Sequence, residues 1–339
     1  MTIGVLVLVG AVVDVLSTVV AVSGRGGPLS GRMALATWRL LLRVHARRRI
    51  HVALRIGGVT LTIGTVLLWV ALLLVGWTLV FVAGSVVDPA TGAAAAAWER
   101  FYFVGYTIFT MGNGDLAAAS SGWRAVTVVA NAMGLILVTL AVTYLVPIVQ
   151  AVVDKRSTAS AIASLGMTTE EILRRAWNGS DLAALEDQLA ELALPIDKLA
   201  QQHLAYPNLH YQHATDPRSA LAPRLAAVDD AITVLIACDF GPSVIDRRRI
   251  EPLRQAIGNL LDTLEPVLDH PGRSTLPAPC HDELARLGLP VGDRASFDDR
   301  FEAESGRRRM LASLLFHDGW NWDSVHDRRQ RTDSADSSG

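Results

Sequence analysis

Three long apolar runs dominate the first half of the chain: Ile3–Val22, Ile56–Ala83 and Arg124–Gln150. Each is long enough to cross a bilayer as a helix, which takes about 20 residues. Between the second and third lies an aromatic-rich amphipathic stretch, Trp98–Phe109, in which Phe101, Tyr102, Val104, Tyr106 and Ile108 recur at helical spacing. Beyond residue 153 the pattern changes, and Asp, Glu and Arg are spread throughout, as in a soluble domain. Apolar positions there repeat with the helical period. They predict a helix from Thr169 ended by Asn178-Gly179, and a second from Ser180-Asp181 to Tyr206, bent at Pro195. Further helices are expected over Ser219–Cys238, Arg249–Asp269, Asp282–Leu287 and Phe297–Phe316. Arg328–Gly339 is polar throughout and is expected to be disordered. No strand alternation and no glycine-rich dinucleotide fingerprint appears, so the fold class is an all-α membrane protein with a helical soluble domain.

This gives five segments: an N-terminal transmembrane helix over 1–22, a basic segment over 23–55, a membrane module over 56–153, a helical domain over 154–322 and a disordered tail over 323–339. Within the module an outer helix covers 56–83, a short helix 98–109 and an inner helix 123–150. The first span opens Met1-Thr2-Ile3 with no basic residues ahead of it, which argues against a cleaved secretory signal. Its Asp14 is costly unless it faces protein or water.

Charge sets the orientation. The formal net charge is only −2, yet Arg25, Arg32, Arg39, Arg43, Arg47, Arg48, Arg49 and Arg55 cluster with no acidic residue among them. By the positive-inside rule this segment is cytoplasmic, so the N-terminus lies outside and the stretch 84–122 is extracytoplasmic. The third span then returns, and the helical domain is cytoplasmic, in a multi-pass protein of the plasma membrane. Met33, Leu35, Trp38, Leu41, Leu42 and Val44 recur at helical spacing among the arginines. That is the pattern of a helix lying on a membrane, its arginines meeting anionic lipids over 25–55. A plain positively charged topology signal is the alternative; nucleic-acid binding is not suggested.

The run Thr110-Met111-Gly112-Asn113-Gly114-Asp115 sits directly after the short helix. Irregular backbone survives at membrane depth only where protein buries it or water lines it, so 98–115 fits a loop that re-enters from outside. A helix C-terminus aimed at mid-membrane favours a cation. Gly112 and Gly114 supply the positive φ angles that turn successive carbonyls one way. Thr110, Met111, Gly112, Asn113 and Gly114 would then form layers of ion ligands, and four chains are needed to close the ring, hence a homotetramer. Pro147 is placed to kink the inner helix near its cytoplasmic mouth.

Residues 56–153 resemble the two-transmembrane pore module of the bacterial potassium channel superfamily, whose filter consensus reads Thr-Val-Gly-Tyr-Gly-Asp. The resemblance implies K+ at the filter, Asp115 as a supporting residue after it, Trp123 at the head of the inner helix, and Gly134 as a gating hinge. Asn113 departs from it, since it replaces the aromatic whose ring braces the filter, and Met111 replaces a branched residue. Tyr106, where some members carry Glu, is expected to hydrogen-bond to Asp115 and restore part of the support. The chain thus reads as a potassium channel gated by its cytoplasmic domain. A nonselective cation channel that also passes Na+ is the first alternative. A membrane-anchored scaffold with a vestigial filter is the second.

The rest of the inventory is sparse. Cys238 and Cys280 are well separated and suggest free thiols. No cofactor is implied and no hydrolase or P-loop motif occurs, so an enzyme has nothing to stand on. His203, His210 and His213 cluster with Tyr206 and Tyr211, a grouping suited to metal binding or pH sensing, though the spacing matches no standard metal motif. Regularly spaced arginines inside an apolar span are missing, which argues against voltage gating.

Overall fold

The structure, a computed structural model, describes residues 1–21, 24, 26–48, 50–238, 244–268, 276–277, 279, 281–286 and 288–326. It is an all-α membrane protein. Among the described residues three helices are long and apolar enough to cross a membrane: α1 (Thr2–Val19), α3 (His51–Val82) and α5 (Ser121–Leu165). The amphipathic α2 (Ser30–Arg48) and the short α4 (Ala97–Ile108) complete the first half. The chain divides into two compact units, one of Met1–Thr37, Val59–Val149 and Ala205–Asn208, the other of Trp38–Gly58, Gln150–Leu204 and Leu209–Gly339. Arg25 and Arg49 of the basic segment, and the segment ends expected at Val22, Asp269 and Leu287, lie outside the described residues.

Two of the spanning helices outrun their hydropathy. α3 starts ahead of Ile56, and α5 continues past Gln150 to Leu165. Hydropathy marks where the oil ends, whereas a helix continues while each amide finds the carbonyl one turn back. Residues 151–165 contain no Gly or Pro, and Gly166 follows them.

In the first unit Asp14 is fully buried and has a structural task. One carboxylate oxygen accepts the amides of Leu29 (2.6 Å) and Ser30 (3.0 Å), capping the start of α2. The other accepts the Trp69 indole N–H at 2.8 Å. Three donors, two of them at a positive helix end, hold a carboxylate that lipid would not tolerate. A β-carbon on Gly27 would run into that carboxylate, so the turn into α2 needs glycine there. The unit also contains a two-residue antiparallel pair, β1 (Val86–Val87) with β2 (Ala117–Ala118). Strands this short leave no alternation to read.

The second unit holds α6 (Thr169–Ala176), α7 (Ala183–Ala205), α8 (Leu221–Ala237), α9 (Arg247–Leu264), α10 (His281–Arg286), α11 (Arg294–Ala303) and α12 (Ser305–His317). Thr168 rather than Thr169 caps α6, accepting the Glu171 amide at 3.2 Å. α8 is buried along almost its whole length, with Leu225, Val228, Ile232 and Leu235 fully covered. Its adjacent Asp229 and Asp230 are equally buried. Arg307 grips Asp229 with nitrogens 2.7–3.0 Å away, and Arg308 grips Asp230 at 2.8 and 3.1 Å. Such forked pairs are what make buried carboxylates tolerable.

The single helix expected over Phe297–Phe316 is two, breaking at Glu304, where Ser305 and Gly306 are weak helix formers. The Glu304 carboxylate pairs there with Arg254 at 2.7 Å. Residues 323–326, expected in the disordered tail, are part of the packed unit: Val325 and His326 are buried. Residues 327–339 lie outside the described residues. Trp38, expected on a membrane-facing helix, is fully buried and donates its indole N–H to the His317 carbonyl at 2.9 Å. Leu40 and Val44 of the same helix are exposed. Cys238 is a free, buried thiol, pushed up to about 12 by burial, and Cys280 lies outside the described residues.

Candidate ion-conduction site

The site is built from α4 outward. Glu99 reaches back to accept the Ala96 amide at 2.7 Å, which fixes where α4 begins. Arg100, one residue on, donates to the carbonyls of Phe81 (3.1 Å), Val82 (2.6 Å) and Gly84 (3.1 Å). Phe81 and Val82 are the last residues of α3 and Gly84 lies just past them, so one guanidinium gathers carbonyls around the C-terminus of α3 and ties α4 to it. Phe103 packs edge-on against Phe81, with ring centroids 5.2 Å apart. At its other end α4 meets α5. A β-carbon on Gly134 would collide with the Ile108 carbonyl, and Asn131 donates to the Thr107 carbonyl at 3.3 Å. Gly134 therefore lets the end of α4 lie directly on α5. That helix continues unbroken through both Gly134 and Pro147.

Beyond α4 the backbone alternates. Thr110 (φ 59°), Gly112 (φ 61°) and Gly114 (φ 79°) are in the left-handed region, and Met111 and Asn113 between them are not. A column of backbone carbonyls serving as ion ligands needs successive peptides to face one way, and positive φ at alternate residues is compatible with that. Glycine adopts this freely, but a β-branched threonine does so only at about 1–3 kcal/mol of strain. The Met111 amide, bonded to the Tyr106 carbonyl at 2.8 Å, helps hold it. A cavity of about 430 Å³ lies beside the run, lined by Thr107, Thr110, Gly112, Gly114, Thr127 and Asn131 among others.

At position 113, where the resemblance leads one to expect an aromatic, a hydrogen bond stands instead. The Asn113 amide donates to the Tyr102 hydroxyl at 2.5 Å, and Tyr102 stacks edge-on against Tyr106 at 5.2 Å. The Tyr106 hydroxyl donates to the Leu116 carbonyl at 2.6 Å rather than to the expected Asp115. Both tyrosines thus stitch α4 to the segment that follows it. Tyr102, Arg100 and Asn131 were not anticipated from the sequence. The available signal was Tyr102 itself, one turn before Tyr106 on the same face of α4.

Residues 67–151 match a family model described as "Ion channel", a span that runs from within α3, through the alternating segment, into α5. Over 327 residues the chain is 30% identical to the uncharacterized membrane protein YdjJ of Bacillus subtilis (strain 168), covering 94% of each. The chain belongs to the YdjJ family of membrane proteins and carries an ion-channel domain. No solved structure matches it.

Outside the ion-channel domain, the sequence-predicted histidines separate into two groups. His203 and His210 stack with centroids 4.9 Å apart, and their Nδ1 atoms lie 2.8 Å from each other. His213 belongs elsewhere: its Nδ1 faces the Asp318 carbonyl at 2.8 Å and its Nε2 faces His51 Nδ1 at 3.1 Å. Tyr211 lies edge-on to His210. Tyr206 instead faces Tyr144 of α5, with centroids 6.4 Å apart. Among the described residues no group of three or more His, Cys, Asp or Glu is arranged to hold a metal ion.

Proposed function

We propose that the protein is a cation channel, selective for potassium, that conducts as a homotetramer. In this reading the carbonyls of Met111, Gly112 and Asn113, with the carbonyl and hydroxyl of Thr110, ring a common fourfold axis, and Gly114 closes the run. The observation that carries it is the alternation of hand at Thr110, Gly112 and Gly114, in a segment between two long apolar helices, because irregular backbone survives at membrane depth only where protein buries it or water lines it. α3 is the outer helix, α4 the pore helix and α5 the inner helix. The stretch 84–122 faces outward, the second unit lies in the cytoplasm of a plasma-membrane protein, and α5 opens and closes near Pro147. The N-terminus is outside, and α2 offers arginines to anionic lipid.

The test is the reversal potential of the purified protein in a planar bilayer under a potassium–sodium gradient. A value near the potassium equilibrium potential is expected. A value near zero would make the pore nonselective, with the Tyr102–Asn113 bond too soft a brace. Silence from an assembled tetramer, persisting across pH and lipid composition, would favour a vestigial filter and a scaffold role.

A further inference from the structure

The part of α5 beyond Gln150 is packed in the second unit, and its Lys155 is buried there. Lys155, His203 of α7, His210 of the turn Pro207–Tyr211, and His317 with Asp318 at the end of α12 line one small cavity. The ammonium donates to the Gln212 carbonyl at 2.9 Å. His203 and His210 are both almost fully buried. A contact of 2.8 Å between two Nδ1 atoms has room for one proton: one ring donates and the other accepts. Neither conduction nor the α8 charge network uses this pair.

We propose that the His203–His210 pair is a proton-operated latch on the end of α5: neutral, it packs around Lys155; protonated on both rings, it lets go. The proposal rests on reading α5 as the inner helix of a channel. Protonating both rings would set two N–H groups against each other and two imidazolium cations beside an ammonium. Among the described residues, the groups around the pair include Lys155 from α5, His317 and Asp318 from the end of α12, and Tyr211 from the same turn as His210, with His213 3.7 Å from the Asp318 carboxylate. Arg39 of α2 adds a further positive charge near Tyr211. Asp318 supplies a carboxylate among these groups, and its own carbonyl is engaged by His213. Burial first, then His210, Lys155 and His317, hold His203 well below the ordinary histidine range. The latched form therefore refuses protons that a released form would accept below about pH 6.5, so acid drives release. Asp154, the neighbour of Lys155, binds Lys198 (2.8 Å) and Gln202 (2.7 Å) of α7, so freeing this end of the helix also loosens α7.

The experiment uses the full chain in lipid nanodiscs, with deuterium exchange of segment 150–165 followed from about pH 7.5 to about pH 5 and corrected for chemical exchange. Bilayer current is recorded over the same range. Exchange is expected to rise about tenfold or more in acid, and the rise should vanish in the double variant His203→Asn/His210→Asn. Lys155→Met keeps the packed stem but removes the cation, so it should make the pair easier to protonate and move the midpoint toward neutral pH. No response in the wild type, or one that neither variant alters, overturns the latch. Current that ignores pH alongside a silent exchange response sinks the latch and leaves conduction standing. A normal exchange response with no current at any pH does the reverse.

Discussion

At the scale of single residues, the Asn113 amide and the Tyr102 hydroxyl put one hydrogen bond where the resemblance leads one to expect a packed aromatic. A net hydrogen bond is worth about 1 kcal/mol, or about fivefold in an equilibrium. Tyr102→Phe is accordingly expected to lower the potassium-over-sodium permeability ratio by about that factor, read from the reversal potential; an unchanged ratio would remove Tyr102 from the filter's support. Gly112 sits at φ 61°, where a β-carbon is strained, and Gly112→Ala should abolish conduction in a protein that still assembles. Gly134 tests two ideas at once. Its missing β-carbon admits the Ile108 carbonyl, so Gly134→Ala should cost about 1–3 kcal/mol of stability in detergent melts. A pure hinge would shift gating and leave the melt alone.

At the scale of elements, two polar side chains fix where helices start and stop. Arg100 binds the carbonyls at the end of α3, and Asp14 caps the start of α2. Asp14→Ala would leave the Leu29 and Ser30 amides and the Trp69 indole without their acceptor. Each orphaned buried donor costs about 1–3 kcal/mol, so the variant should melt far earlier than Asp14→Asn, which keeps an acceptor oxygen. Equal melting of the two would show that the carboxylate is not what holds α2. Much of this level was legible in advance. The apolar runs placed α1, α3 and α5, and the aromatic spacing placed α4 within a residue of its ends. What escaped were β1 and β2, the break at Glu304 and the extension of α5. The strand pair depends on a partner distant in sequence and the extension of α5 on a helix leaving oil for protein, and neither event changes the local pattern. The break at Glu304 does have a local cue in Ser305 and Gly306, but a small one beside the helical period around it.

At the scale of the whole molecule, pH should act on stability with two opposite signs. Burial alone would lower His326, but the carboxylates of Asp230 (3.2 Å) and Glu170 (2.8 Å) outweigh it and push it up to about 9. A histidine raised in the folded state stabilises fully below its unfolded value of about 6.5 and loses that contribution as pH climbs to about 9. The size is on the order of 3 kcal/mol for a shift of this extent. Thermal melts from neutral to alkaline pH should therefore decline in the wild type, and His326→Gln should flatten that decline. A parallel decline in the variant would assign it to another group. The buried His203 pulls the other way, weakening the packed state as pH falls through about 6.5.

The sequence by itself determined the membrane character, the helical class, the positions of the spans and the glycine-bearing run at 110–115. Hydropathy, helical period and the need for positive φ are local properties, written residue by residue. Only the tertiary structure decided what the polar exceptions do. It made Asp14 a helix cap, Tyr102 the partner of Asn113, Gly134 a contact point for Ile108, and Thr110 a third left-handed residue. It also parted His213 from the His203–His210 pair. A polar side chain takes its meaning from the partner across the fold, and that partner is absent from any window of sequence.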